Sequence, residues 1–103
     1  MAEPDFDVAG VEIRRMLRSL TRAGNVLVRE GKLVLQTSYG SEIDSAPLER
    51  VRVSGYGVRD YALATMDGSR YVLRFALGHR EGLLDAIRTA RAKADAERGV
   101  LGR

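Results

Sequence analysis

A single histidine, His79, stands at the head of a helical pattern, and its nearest acids are Glu81 and Asp85. A metal site or a general base needs partners on the same helix face. Offsets of two and six residues do not put them there, so His79 reads as a helix-start or surface residue. Glu42 and Asp44 share one face of a short strand, an arrangement that more often keeps a sheet edge soluble than performs acid–base chemistry. Gly55-Tyr56-Gly57 lacks the strand–loop–helix context of a phosphate cradle. There is no cysteine, which excludes disulfides, thiolate metal sites and a cysteine nucleophile. No serine has a histidine in a plausible partner arrangement. No catalytic, cofactor-binding or metal-binding residue is expected, and the chain reads as non-enzymatic.

The remaining chemistry is that of arginine. Fifteen of the seventeen basic residues are arginine, and the net charge is +3. Residues 1–7 carry −3 through Glu3, Asp5 and Asp7, whereas 8–23 carry +3 through Arg14, Arg15, Arg18 and Arg22 against Glu12. Residues 8–23 read as a helix, with Asp5 or Asp7 as N-cap and Gly24 at the left-handed position that ends it. At 100° per residue, Ala9, Ile13, Met16, Leu17 and Leu20 share one face. Arg15, Arg18 and Arg22 fall opposite, with Arg14 at the edge. A guanidinium stripe of this kind suits phosphates or carboxylates. These four arginines are therefore the candidate partner-binding residues.

The elements that must carry this stripe are legible from their turns. Glu30-Gly31 and Asp67-Gly68 each separate two apolar, β-rich segments, the strongest short-range signal of a hairpin. A two-residue loop at Glu30-Gly31 pairs Val28 with Leu33 and Val26 with Leu35, which places all four on one face. The Asp67-Gly68 hairpin pairs Met66 with Ser69, Ala64 with Tyr71 and Ala62 with Leu73. That assembles a face of Ala62, Ala64, Met66, Tyr71, Leu73, Phe75 and Leu77. Between the hairpins, Glu42-Ile43-Asp44 is a short strand broken at Ser45-Ala46-Pro47, and Val51 and Val53 mark another strand. From His79 to Arg98 the period returns to helix, with Leu83, Leu84, Ile87, Ala90 and Ala94 on one stripe. Residues 99–103 form the expected frayed tail.

The chain's 103 residues and apolar share of 45% are those of one globular domain with its own core. No apolar run approaches the roughly 20 residues of a membrane span, and the acidic N-terminus lacks the features of a signal peptide. A cytoplasmic protein is expected. The bias toward arginine, alanine, valine and leucine points to a bacterial or phage source.

From about residue 25 to 91 the pattern resembles the pleckstrin-homology-like (PH-like) domains, in particular the small bacterial kind. The resemblance rests on the segments NVLVREGKLVLQT, EIDSAPLERVRV, YALATMDGSRYVLRFA and REGLLDAIRTAR. It implies an α+β fold: an antiparallel, six- to seven-stranded, partly open barrel capped by the C-terminal helix, here with an added N-terminal helix. It also implies a binding role without catalysis. The lysine- and arginine-rich first loop of phosphoinositide-binding members is absent, this loop being only Arg29-Glu30-Gly31-Lys32 with an acid in the middle, so phosphoinositide binding is not expected. The resulting expectation is a protein-interaction module with a protein partner, a second copy of itself included. A small nucleic-acid-binding or regulatory protein is the alternative.

Overall fold

The structure, a computed structural model, describes residues 6–15, 18–57, 60–76 and 78–101. Seven strands run β1 (Phe6–Arg15), β2 (Arg18–Arg29), β3 (Lys32–Gln36), β4 (Glu42–Pro47), β5 (Val51–Gly55), β6 (Tyr61–Met66) and β7 (Ser69–Arg74), followed by helix α1 (His79–Leu101). One 3-10 turn, Leu48–Arg50, joins β4 to β5. The strands form one antiparallel sheet in the order β4-β3-β2-β1-β7-β6-β5.

Both hairpins have the expected register. β2 and β3 pair Val26 with Leu35, Val28 with Leu33 and Arg29 with Lys32, while β6 and β7 pair Ala62 with Leu73, Ala64 with Tyr71 and Met66 with Ser69. The turns explain why. Glu30 and Gly31 have φ of 52° and 73°, and Asp67 and Gly68 have 50° and 92°. Two successive left-handed residues make the turn whose twist matches that of the strands it joins.

The N-terminal helix expected over 8–23 is absent: this segment is the β1–β2 hairpin. Its irregular pairing accounts for the helical appearance. Val8 faces Val26, Val11 faces Gly24, Ile13 faces Thr21 and Arg14 faces Ser19, with a register shift between each successive pair. One extra residue in β1 and then two in β2 are bulged out. The buried positions of β1 are therefore Val8, Val11 and Ile13, and the step of three imitates a helical repeat. Gly10, with φ of 75°, sits in the first bulge. Gly24 has a different role from the helix-ending one expected. It is buried in β2, where a Cβ would lie 2.4 Å from the carbonyl oxygen of Gln36 and 2.6 Å from Thr21 Cγ2. The bare glycine lets the backbones close up. Met16, Leu17 and Leu77 lie outside the described residues.

β4 also departs from expectation, continuing through Ser45-Ala46-Pro47 to pair Pro47 with Lys32. β4 ends the sheet, so the missing N–H of Pro47 leaves no ladder bond unmade.

The sheet curls. In a flat sheet, β4 and β7 would lie four strand spacings apart, about 19 Å. Instead the Tyr71 hydroxyl donates to Asp44 Oδ2 at 2.7 Å. The concave face holds one cluster that includes Val11, Ile13, Val26, Val28, Leu33, Leu35, Val51, Met66, Leu73 and Phe75, with Leu83 and Ile87 of α1 closing it. Leu84 and Ala90 are half-buried at the margin of that helical stripe. Arg91 fastens α1 to the gap between the two sheet ends: its guanidinium donates to the carbonyls of Leu48, at 2.8 Å, and Val51.

Candidate functional site

The hairpin that replaces the expected helix changes where the arginines go. Ile13 points into the core, so Arg15, two residues on, continues that face. Arg18 pairs with Arg15 across the strands. Both reach the rim of the barrel. With Leu20, Ile43 and Tyr71 they line a depression of about 460 Å³. The Arg15 guanidinium sits over the Tyr71 ring, 5.9 Å from its centroid. That separation is within range of a cation–π attraction. Arg14 pairs with Ser19 on the opposite face.

Arg22 goes elsewhere. It lines a second depression of about 390 Å³ with Gly10, Glu12, Arg74, Phe75 and Ala76. Glu12 faces Arg74 across β1 and β7, and the Arg74 guanidinium lies 5.9 Å from the centroid of Tyr61. The single stripe of four is therefore resolved into a pair at the barrel mouth, Arg15 and Arg18, with Arg14 and Arg22 apart from it.

Two residues of the mouth, Asp44 and Tyr71, were not among the candidate binding residues read from the sequence. Asp44 is not a freely solvated edge carboxylate: it is half-buried and accepts from the Tyr71 hydroxyl and from the Ser45 backbone N–H at 2.8 Å. Its pairing with Leu35, two residues from buried Ala46, puts it on the inward face of β4. Tyr71 is 3% exposed. Burial raises the pKa of its phenol, and the hydrogen bond and negative charge of Asp44 raise it further, against the opposing charge of Arg15. The only signal in the sequence was the placement of Tyr71 on the core-facing side of β7, where a buried hydroxyl needs a partner.

Among the described residues, the ion pairs join Arg50 to Asp67, Arg80 to Glu81 and Arg88 to Asp85. None engages Arg15 or Arg18, so both guanidiniums present donors at the rim. His79 is exposed at the start of α1. No group of three or more histidine, aspartate or glutamate side chains able to hold a metal occurs among the described residues. Among the same residues, no helix is long and apolar enough to cross a membrane.

No protein-family model matches the sequence, and no curated protein matches it. Solved structures do. The C-terminal PH domain of pleckstrin, crystallised in complex with D-myo-Ins(1,2,3,5,6)P5, superposes with a TM-score of 0.68 at 13% identity, covering 87% of this chain and 97% of that one. The chain folds as a PH-like domain. The tandem PX-PH domains of Bem3 from Saccharomyces cerevisiae give 0.67 at 18% identity over 84% of this chain, which spans only 43% of the Bem3 chain. The solution structure of the C-terminal PH domain of human pleckstrin gives 0.62 at 16% identity, covering 82% of this chain and 77% of that one. Within the PH-like fold, the first interstrand connection is the one between Arg15 and Arg18. Arg29-Glu30-Gly31-Lys32 is the second. The expectation against phosphoinositides was therefore drawn from the wrong loop.

Proposed function

We propose that this PH-like domain is a non-enzymatic interaction module that takes an anionic group at the barrel mouth, held by Arg15 and Arg18. The observation that carries this reading is the pairing of two guanidiniums over a depression, with Arg15 steadied on the face of Tyr71 and neither arginine in an ion pair with another described residue. Guanidinium groups suit phosphate and carboxylate by charge and by their planar fork of donors. Asp44 stands nearby, but it is engaged by Tyr71 and Ser45, which draws its oxygens toward the protein. With Arg15 and Arg18 in one depression, Arg22 in another and Arg14 on the opposite face, there is no continuous basic track, which weighs against the nucleic-acid alternative.

A phosphorylated small ligand and an acidic protein segment share this chemistry, and calorimetry separates them. D-myo-Ins(1,2,3,5,6)P5, the ligand bound by pleckstrin, is titrated into the wild type, an Arg15→Glu/Arg18→Glu double variant and an Arg22→Glu control. A poly-glutamate peptide is the second titrant. Heat lost in the double variant and kept in the control supports the mouth, and the titrant that gives it identifies the source. No heat with either titrant, or equal heat in all three proteins, refutes the reading.

A further inference from the structure

Helix α1 closes the concave side of the sheet, and the pairing registers fix what the convex side of β5, β6, β7 and β1 presents. Ile13, Ala62, Ala64, Tyr71 and Leu73 are buried, so the residues alternating with them point outward. Leu63 pairs with Val72, and Val72 in turn with Arg14, which makes one row across the strands. The next row on one side holds Arg52 and Arg70, both paired with Thr65. The next row on the other side holds Arg74, paired with Tyr61 and with Glu12. Leu63 and Val72 are half-buried, and all four arginines are exposed.

The charge of this face is one-sided. Four arginines meet a single acid, Glu12, and no ion pair between described residues engages any of the four. Arg74 rests instead on the ring of Tyr61, 5.9 Å from its centroid. Arginine stems lie along apolar surface while their guanidiniums stay in water. A strip of apolar surface, Leu63 and Val72, therefore runs between two banks of positive charge. Arg70 and Arg74 are four residues apart on β7, so the banks stand roughly 13–14 Å apart. That spacing accommodates an α-helix, whose diameter with side chains is about 10–12 Å.

We infer that this convex face docks an acidic amphipathic helix of a partner protein, laid across β6 and β7. Its apolar stripe covers Leu63 and Val72. Carboxylates on its two flanks meet Arg52 and Arg70 on one side and Arg74 on the other, with Arg14 at one end. Helix on sheet is one of the few layer arrangements that bury apolar surface from both elements. Charge complementarity selects this occupant over a second copy of the chain, whose own convex face carries the same arginines. Single-stranded nucleic acid stacks its bases on open aromatic faces, and the ring of Tyr61 is already taken by Arg74.

The test uses the full chain with isotope-labelled methyl groups and a synthetic peptide of about 18 residues, long enough to hold a helix. The peptide carries leucine along one stripe, glutamate on both flanks and alanine elsewhere. It should shift the Leu63 and Val72 methyl resonances, and a version with lysine in place of glutamate should shift neither. Arg14 and Arg70 take part in no ion pair or ring contact between described residues. Arg14→Glu/Arg70→Glu should therefore weaken binding at least about tenfold with Tm little changed. Val72→Thr, which exchanges a methyl group for a hydroxyl of similar shape, should weaken it about threefold. The Arg15→Glu/Arg18→Glu variant should bind this peptide as the wild type does, which separates this face from the barrel mouth. Methyl groups unmoved by the glutamate peptide, equal binding of the lysine version, or wild-type affinity in Arg14→Glu/Arg70→Glu would each overturn the inference. So would Leu63 and Val72 shifts that arise with phosphatidylserine vesicles or oligo-dT and not with the peptide.

Discussion

Gly24→Ala tests the β1–β2 hairpin at its tightest point. Adding one methyl group places a carbon 2.4 Å from Gln36 O, 2.6 Å from Thr21 Cγ2 and 3.0 Å from Ile13 Cδ1. Thr21 can rotate and Ile13 can shift, but the carbonyl of Gln36 belongs to β3 and moves only if the two backbones part. Asn25 pairs with Gln36, so parting them strains the first rung of the β2–β3 ladder. Overpacking a well-filled site costs about 1–3 kcal/mol, and a clash with fixed backbone belongs at the upper end. A loss of about 3 kcal/mol in a domain of this size lowers Tm by roughly 12–24 °C. Gly31→Ala is the control. A Cβ there meets nothing within 4 Å, so only its φ of 73° is strained. Holding a residue with a Cβ in that left-handed region costs roughly 1–2 kcal/mol. Urea and thermal unfolding followed by circular dichroism measure both. A Gly24→Ala protein that melts within about 2 °C of the wild type, or above Gly31→Ala, would refute the close approach of β2 and β3 and with it the bulged pairing.

Other changes probe the rest of the frame. Phe75→Ala removes a ring that is 4% exposed in the core. It should cost about 3–5 kcal/mol in urea unfolding, near the whole stability of so small a domain. Arg91→Met keeps the aliphatic stem but strips the donors from the Leu48 and Val51 carbonyls. It should lower stability by about 1–3 kcal/mol and speed hydrogen exchange in the 48–51 turn. The Tyr71 phenol has a raised pKa in the folded state, so its contribution to stability is complete below the unfolded value near 10 and is lost as pH climbs through the folded one. Urea midpoints measured between neutral and strongly alkaline pH should therefore fall at the alkaline end. Tyr71→Phe should lessen that fall, and at neutral pH it leaves Asp44 Oδ2 without its donor. The loss at neutral pH should be about 1–3 kcal/mol in the same urea assay.

How far the sequence foretold this molecule depended on regularity. Where strands pair without interruption and meet at a two-residue turn, period and turn chemistry agree. The registers of Val28 with Leu33 and of Ala64 with Tyr71 followed directly. The β1–β2 hairpin obeys the same physics, but its register shifts erase the period of two on which strand reading depends. With Ala9, Ile13, Met16, Leu17 and Leu20 recurring at helical spacing and Gly24 in plausible stop position, a helix was the simpler pattern. The same misreading shaped the expected site, because four arginines that share a helical face part company on a bulged ribbon. Asp44 was hidden for another reason. Its partner Tyr71 lies 27 residues away and meets it only because the sheet curls, and no local pattern encodes that closure.

The seam between β1 and β7 has a consequence for how the chain assembles. Ile13 pairs with Leu73, so this contact closes a loop of sixty residues, whereas the β2–β3 and β6–β7 ribbons close over two-residue turns. Closing such a loop costs on the order of 4 kcal/mol in chain entropy before any contact across it compensates. The ribbons should therefore form within microseconds and wait for the seam, which makes strand joining the slow step. During synthesis, β1 emerges before every other described strand of the sheet, yet its second neighbour, β7, is the last of them made. Until β7 arrives, one whole flank of β1 is an open template for another chain. The order of strands thus builds an interval of vulnerability into every molecule made, and two nascent copies held close together could trade β7 during it.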